Sequence, residues 1–91
     1  MTTETRENRL KRLHMRSWRR GIKEMDLVLG RYSDDKLNDM DDAELDLYEA
    51  LLAEMDQDLL RWITALDPVP EQYTELFQRI SEHAKSQGTA H

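Results

Sequence analysis

Three features of this 91-residue chain predict an all-α fold, a small bundle of about five short helices. Apolar residues recur at intervals of three and four, the helical period, and no stretch alternates at two as a strand would. The breaks between periodic stretches are short, at Gly21, at Ser33 to Asp39 and at Pro68 to Pro70. Cysteine is absent, so neither disulfides nor thiolate metal sites hold the chain together, and helix packing or a partner must do so. A chain of this length supports one core, which makes residues 1–91 a single helical domain with frayed ends expected at about 1–6 and 86–91.

The first helix, about Glu4 to Trp18, carries Leu10, Leu13, Ser17 and Trp18 near one stripe, with Arg6, Arg9, Arg12, Arg16 and Arg19 marching beside it. Gly21 interrupts the pattern, and a second helix runs to about Tyr32 with Ile22, Met25, Leu29 and Tyr32 in phase. Ser33 to Asp39 reads as a polar turn. Asp41 followed by Glu44 has the capping-box spacing and opens a third helix to about Glu54, with the stripe Leu45, Tyr48, Leu51 and Leu52. Asp56 reads as the N-cap of a short fourth helix through Leu59, Leu60, Trp62 and Ile63 to about Ala65, stopped by Pro68 and Pro70. The last helix, about Glu71 to Lys85, places Tyr73, Leu76, Phe77, Ile80 and Ala84 on one face. Trp18 and Trp62 are expected in the core, and Met15, Met25, Met40 and Met55 as its gap fillers.

The net charge of -6 conceals an asymmetry. From Met1 to Arg31 there are nine Lys or Arg against four Asp or Glu, a balance of +5; from Tyr32 to His91 there are four against fifteen, a balance of -11. Such polarity steers a partner or orients docking. The acidic majority argues against a nucleic-acid partner, and no run of about 18 apolar residues is present to insert in a membrane. The chain is expected to act as a monomer.

Catalytic chemistry finds little support. A nucleophile held beside a base and an orienting group is not legible, and the glycines are isolated rather than grouped in a phosphate or oxyanion loop. His83, in the last turn of the final helix, reads as a cation favoured by the helix dipole, and His14 as a surface residue among arginines. The acids Asp34, Asp35, Asp39, Asp41, Asp42 and Glu44 lack the alternating spacing and central glycine of a calcium loop, and read as caps and solvated faces.

What remains is the junction from Arg16 to Asp26, where Arg16, Arg19, Arg20 and Lys23 crowd about Gly21. A glycine between two helices either takes positive φ as an end cap or leaves room for another backbone. A tight helix-helix corner would account for it. An exposed cluster of Arg around a residue without a side chain equally suits a protein interface, since Arg binds carboxylates in a bidentate manner.

Arg19-Arg20-Gly21-Ile22-Lys23-Glu24-Met25-Asp26 resembles the RGxxE signature of the succinate dehydrogenase assembly factors that promote covalent flavin attachment. The resemblance extends to Arg16-Ser17-Trp18, to the Asp-Asp-Ala-Glu start of the third helix and to Asp56-Gln57-Asp58-Leu59-Leu60-Arg61-Trp62, with Gln57 where many members have proline. It implies a chaperone-like factor, not an enzyme, that binds the flavoprotein subunit of succinate dehydrogenase and in some cases of fumarate reductase. FAD then belongs to the partner, whose histidine attacks the flavin's 8α-methyl carbon, and this chain holds no cofactor or metal. The implied contact residues are Arg20, Gly21 and Glu24, with Arg16, Arg19, Lys23 and Asp26 around them. A small regulatory interaction protein, antitoxin-like or membrane-associated, is the alternative use of the same corner. Met1 to Asn8 contains Glu4 and Glu7 and no apolar run, unlike a secretory signal or transit peptide, which leads to the expectation of a bacterial, cytoplasmic protein.

Overall fold

In the computed structural model, residues 4–86 are described, and among them lie five α-helices, two short 3-10 turns and no strand. The frayed ends expected at about 1–6 and 86–91 fall largely outside those residues. Helix α1 (Arg6–Trp18) begins at Thr5, whose hydroxyl accepts from the Asn8 N-H at 3.1 Å. Helix α2 (Lys23–Lys36) follows the Gly21 corner and packs back along α1. Helix α3 (Asp42–Leu52) opens with the predicted capping box, Asp41 and Glu44 each bonding the other's backbone N-H. Helices α4 (Asp56–Ile63) and α5 (Thr74–Ser86) complete the bundle, α5 lying against α2.

The core is made by the predicted stripes: Leu13 from α1, Met25 and Leu29 from α2, Leu45, Tyr48 and Leu51 from α3, Leu59 from α4 and Ile80 from α5 are all 0–1% exposed. Tyr48 ties three helices together. Its hydroxyl lies 2.6 Å from Ser17 Oγ on α1 and 3.3 Å from the Leu29 carbonyl on α2, and Ser17 Oγ lies 2.8 Å from Leu13 O, so the two hydroxyl protons are shared among three contacts. These partners satisfy two polar groups that would otherwise be costly at zero exposure. Burial pushes the Tyr48 hydroxyl well above its ordinary pKa, so it stays neutral.

Several boundaries differ from the sequence reading. Ser33 to Asp39 is not a turn: α2 continues to Lys36 and Leu37–Asp39 adds a 3-10 turn. Ser33 satisfies its hydroxyl within the helix on Gly30 O at 2.7 Å, and Leu37 and Met40 plug into the core, so burial overrides the weak local propensity. The N-cap of α4 is Met55, and Asp56 is its first residue because the Asp56 carboxylate is turned to a distant arginine. The prolines do not stop α4, which ends at Ile63. Ala65 takes φ 61°, and the Leu66 and Ala65 N-H groups donate to Arg61 O and Trp62 O at 2.8 and 3.2 Å, a Schellman end made without glycine.

Side chains also departed from expectation. Met25 and Met40 are buried, but Met15 is 51% and Met55 65% exposed and fill no gap. Trp18 and Trp62 are half-buried. Trp62 packs edge-on to Phe77, with 6.3 Å between centroids. Trp18 lies over Gly30, where a Cβ would meet its ring at 2.3 Å, and donates Nε1-H to Asp34 at 3.2 Å. His83 lies in the last turn of α5 as expected, but it is buried at 8% exposure, with Nε2 at 2.6 Å from Asp35 Oδ2 and its ring edge-on to Tyr32. His14 likewise meets Asp34 across the α1–α2 seam.

Candidate partner-docking site

The corner between α1 and α2 takes four residues, Arg19 to Ile22, and reverses the chain. Gly21 has φ +92°, a left-handed conformation that L residues with a Cβ rarely adopt, and an added Cβ would come no nearer than 4.0 Å to Asp56 Oδ2. Glycine is therefore required by the backbone angle and not by crowding. Ile22, extended at φ -122°, is the N-cap of α2, so Glu24 is the second helical residue and does not cap the helix. Asp26 closes the corner from the first turn of α2, its carboxylate accepting the Arg20 backbone N-H at 2.7 Å.

Arg20 faces inward. Its side chain is 9% exposed; Nε donates to Asp56 Oδ1 at 2.7 Å, one terminal nitrogen to Glu54 O at 2.8 Å and the other to Leu52 O. The guanidinium thus satisfies two carbonyls left open where α3 ends and the carboxylate that begins α4. Two segments far apart in sequence, Arg20-Gly21 and Asp56-Gln57-Asp58, are welded into one surface.

The arginine stripe of α1 divides in two. Arg6, Arg9 and Arg12 turn to α3: Arg6 to Asp42 at 3.6 Å and to Met40 O at 2.5 Å, Arg9 to Asp46 at 2.7 Å and Glu49 at 3.0 Å, and Arg12 to Glu49 at 2.9 Å. The pairs ascend together along both helices, so α1 and α3 run side by side in the same direction. Arg12 first and Arg9 with it hold the Glu49 carboxyl below the ordinary value for glutamate, against the opposing effect of its burial. With Arg20 on Asp56, four arginines of the basic block are thus paired with acids of the acidic block within the molecule.

Past Arg12 the stripe opens to solvent. Arg16 makes one long contact, 3.4 Å to Leu52 O. Among the described residues, Arg19, Lys23 and Glu24 are exposed and make no ion pair or side-chain hydrogen bond. Of the seven predicted contact residues, the structure therefore leaves Gly21, Lys23, Glu24, Arg19 and part of Arg16 open, and places Arg20 and Asp26 as internal supports of that surface. Asp56, Leu52 O and Glu54 O were missed from the sequence. No group of three or more His, Cys, Asp or Glu is arranged for a metal among the described residues, and no helix there is long and apolar enough to cross a membrane.

A braced helical corner with uncommitted charges around a bare glycine is the candidate interaction surface of this helical bundle. The chain belongs to the family described as flavinator of succinate dehydrogenase, whose model matches residues 11–84. It is similar to proteins named succinate dehydrogenase assembly factor 2, mitochondrial: 35% identical over 91 residues to that of Meyerozyma guilliermondii, covering 94% of this chain and 67% of the relative. The likeness is 38% over 88 residues to that of Scheffersomyces stipitis (91% of this chain, 59% of the relative), and 35% over 86 to that of Schizosaccharomyces pombe (92% and 62%). The chain thus spans about three fifths to two thirds of these relatives' lengths. The expectation of a bacterial cytoplasmic protein is corrected here, because each of these relatives is named mitochondrial.

Proposed function

We propose that this chain is an assembly factor that docks on the flavoprotein subunit of succinate dehydrogenase, and on the related fumarate reductase subunit, and promotes covalent attachment of FAD to it. It does so without catalysing the bond and without holding a cofactor of its own. The observation that carries this reading is the corner itself: Gly21, Lys23 and Glu24 stand open and uncommitted, on a backbone braced from beneath by Arg20, Asp26 and Asp56. A rigid surface loses little conformational freedom on association, so its charges contribute to binding and not to ordering. Binding energy of this kind selects one arrangement of the partner's domains, in which flavin and attacking residue meet.

The other titratable groups support the same reading. His14, His83, Asp34, Asp35 and Glu49 join helix to helix, which is structural work and not general acid-base chemistry. The test is covalent flavin fluorescence of the succinate dehydrogenase flavoprotein, separated under denaturing conditions, with and without this chain. Fluorescence should rise when the chain is present. Equal fluorescence in both lanes overturns the proposal.

A further inference from the structure

We propose that docking extends beyond the corner along the open face of α1, where Met15 anchors an acidic segment of the flavoprotein that carries an apolar side chain between carboxylates. This rests on the function proposed above and adds the chemistry of what is recognised. Arg12, Met15 and Arg16 lie on the side of α1 away from its buried Leu13 and Ser17, and Arg19 follows them as the C-cap. Together with Arg20 they line a shallow depression of about 380 Å³.

Met15 is the apolar residue among that lining and is 51% exposed, although a core position would suit a methionine better. Its flexible, polarisable thioether adapts to an incoming apolar group. Arg19 above it is unpaired and Arg16 nearly so, whereas Arg12 is already bound to Glu4 and Glu49 at 2.9 Å each. An exposed apolar side chain beside spare guanidinium groups is complementary to an apolar residue flanked by Asp or Glu, each carboxylate accepting a bidentate pair. A nucleic acid fits less well, because the whole chain carries a net charge of -6 and repels an extended polyanion everywhere outside this face.

The experiment measures binding of the full chain to the apo flavoprotein subunit at low and raised salt. Met15→Gln keeps a long unbranched side chain and Arg19→Glu reverses one exposed charge, so helix content and melting should match the wild type. Each should weaken binding by about tenfold, with the salt dependence flattened for Arg19→Glu. If both variants bind as the wild type does while Gly21→Arg fails to bind, the α1 face makes no contact and docking through the corner alone survives. If the wild-type chain does not bind the flavoprotein at either salt, the proposed function falls and this extension with it. Capture of the chain by phosphatidylserine vesicles or by a second copy, lost in Met15→Gln while flavoprotein binding is unaffected, assigns the face to that other partner and overturns the proposal.

Discussion

Replacing Arg20 by alanine tests whether the arginine of the corner is a brace or a contact. Its guanidinium donates to one carboxylate and two backbone carbonyls from a side chain that is 9% exposed. Hydrogen bonds with a charged partner contribute about 1.5–3 kcal/mol each, but three from one group are not additive. Water also reaches Asp56, whose side chain is 25% exposed, so the discounted loss is about 3 kcal/mol. At about 4–8 °C per kcal/mol for a domain of this size, the melting temperature should fall by about 12–24 °C. Asp56→Ala removes one of the three bonds and a favourable charge in the first turn of α4, a loss of about 1–2 kcal/mol. The double variant should then lose less than the sum, with a coupling of about 1–2 kcal/mol measured by urea denaturation. An Arg20→Ala chain within about 1 kcal/mol of the wild type, or two losses that simply add, would refute the brace and return Arg20 to the open surface.

Three further outcomes follow from the same geometry. At φ +92°, Gly21→Ala should cost about 1–2 kcal/mol by thermal melting and Gly21→Asn less, while Gly21→Arg adds a long cation on the open surface and abolishes flavoprotein binding in a chain still helical by circular dichroism; an alanine variant as stable as the wild type sinks the backbone argument. Gly30→Ala sets a Cβ 2.3 Å from the Trp18 ring and should lose about 1–2 kcal/mol net of its helix-propensity gain, with altered tryptophan emission; unchanged emission and stability would show the indole free to move. Glu49 has a folded pKa below its unfolded value of 4.5, so the unfolded chain binds the proton more readily and the stabilisation, of order 1 kcal/mol, is complete above about pH 4.5 and lost as pH falls through the folded value. The stability gap between wild type and Glu49→Gln should therefore close below that pH in melting curves, and a gap unchanged at pH 3 contradicts it.

The helices were legible because each carries a core stripe at the helical period, and Leu13, Leu29, Leu45, Tyr48 and Ile80 are buried where the pattern puts them. The Asp41 to Glu44 box was legible for a similar reason, since both partners lie within one turn. Failures came where a long-range contact decides a local choice. Ser33 to Lys36 looks like a turn by composition, yet Asp34 and Asp35 reach His14 and His83 on neighbouring helices and hold the segment helical. Asp56 looks like a cap by type, yet Arg20, thirty-six residues away, takes its carboxylate. Ala65 ends α4 in a conformation glycine prefers, which residue identity could not announce.

The division of the arginines had one readable signal. Asp42, Asp46 and Glu49 recur at four and three, an acidic face on α3 to set against Arg6, Arg9 and Arg12, which recur at three and three. Two complementary faces of about two turns each in a chain too small for a second core predict their own pairing, and the observed ladder from 6 with 42 to 12 with 49 is that pairing. The basic block of the sequence is thus two things. Arg6, Arg9 and Arg12 stabilise the bundle with Arg20, while Arg16, Arg19 and Lys23 are left to the open surface. Salt should accordingly act on two separable quantities: on folding through the α1–α3 ladder, which Arg9 and Glu49 control, and on docking through Arg16, Arg19 and Lys23. A variant of either group should flatten one salt dependence and leave the other intact, which no reading based on the net charge of the N-terminal third would expect.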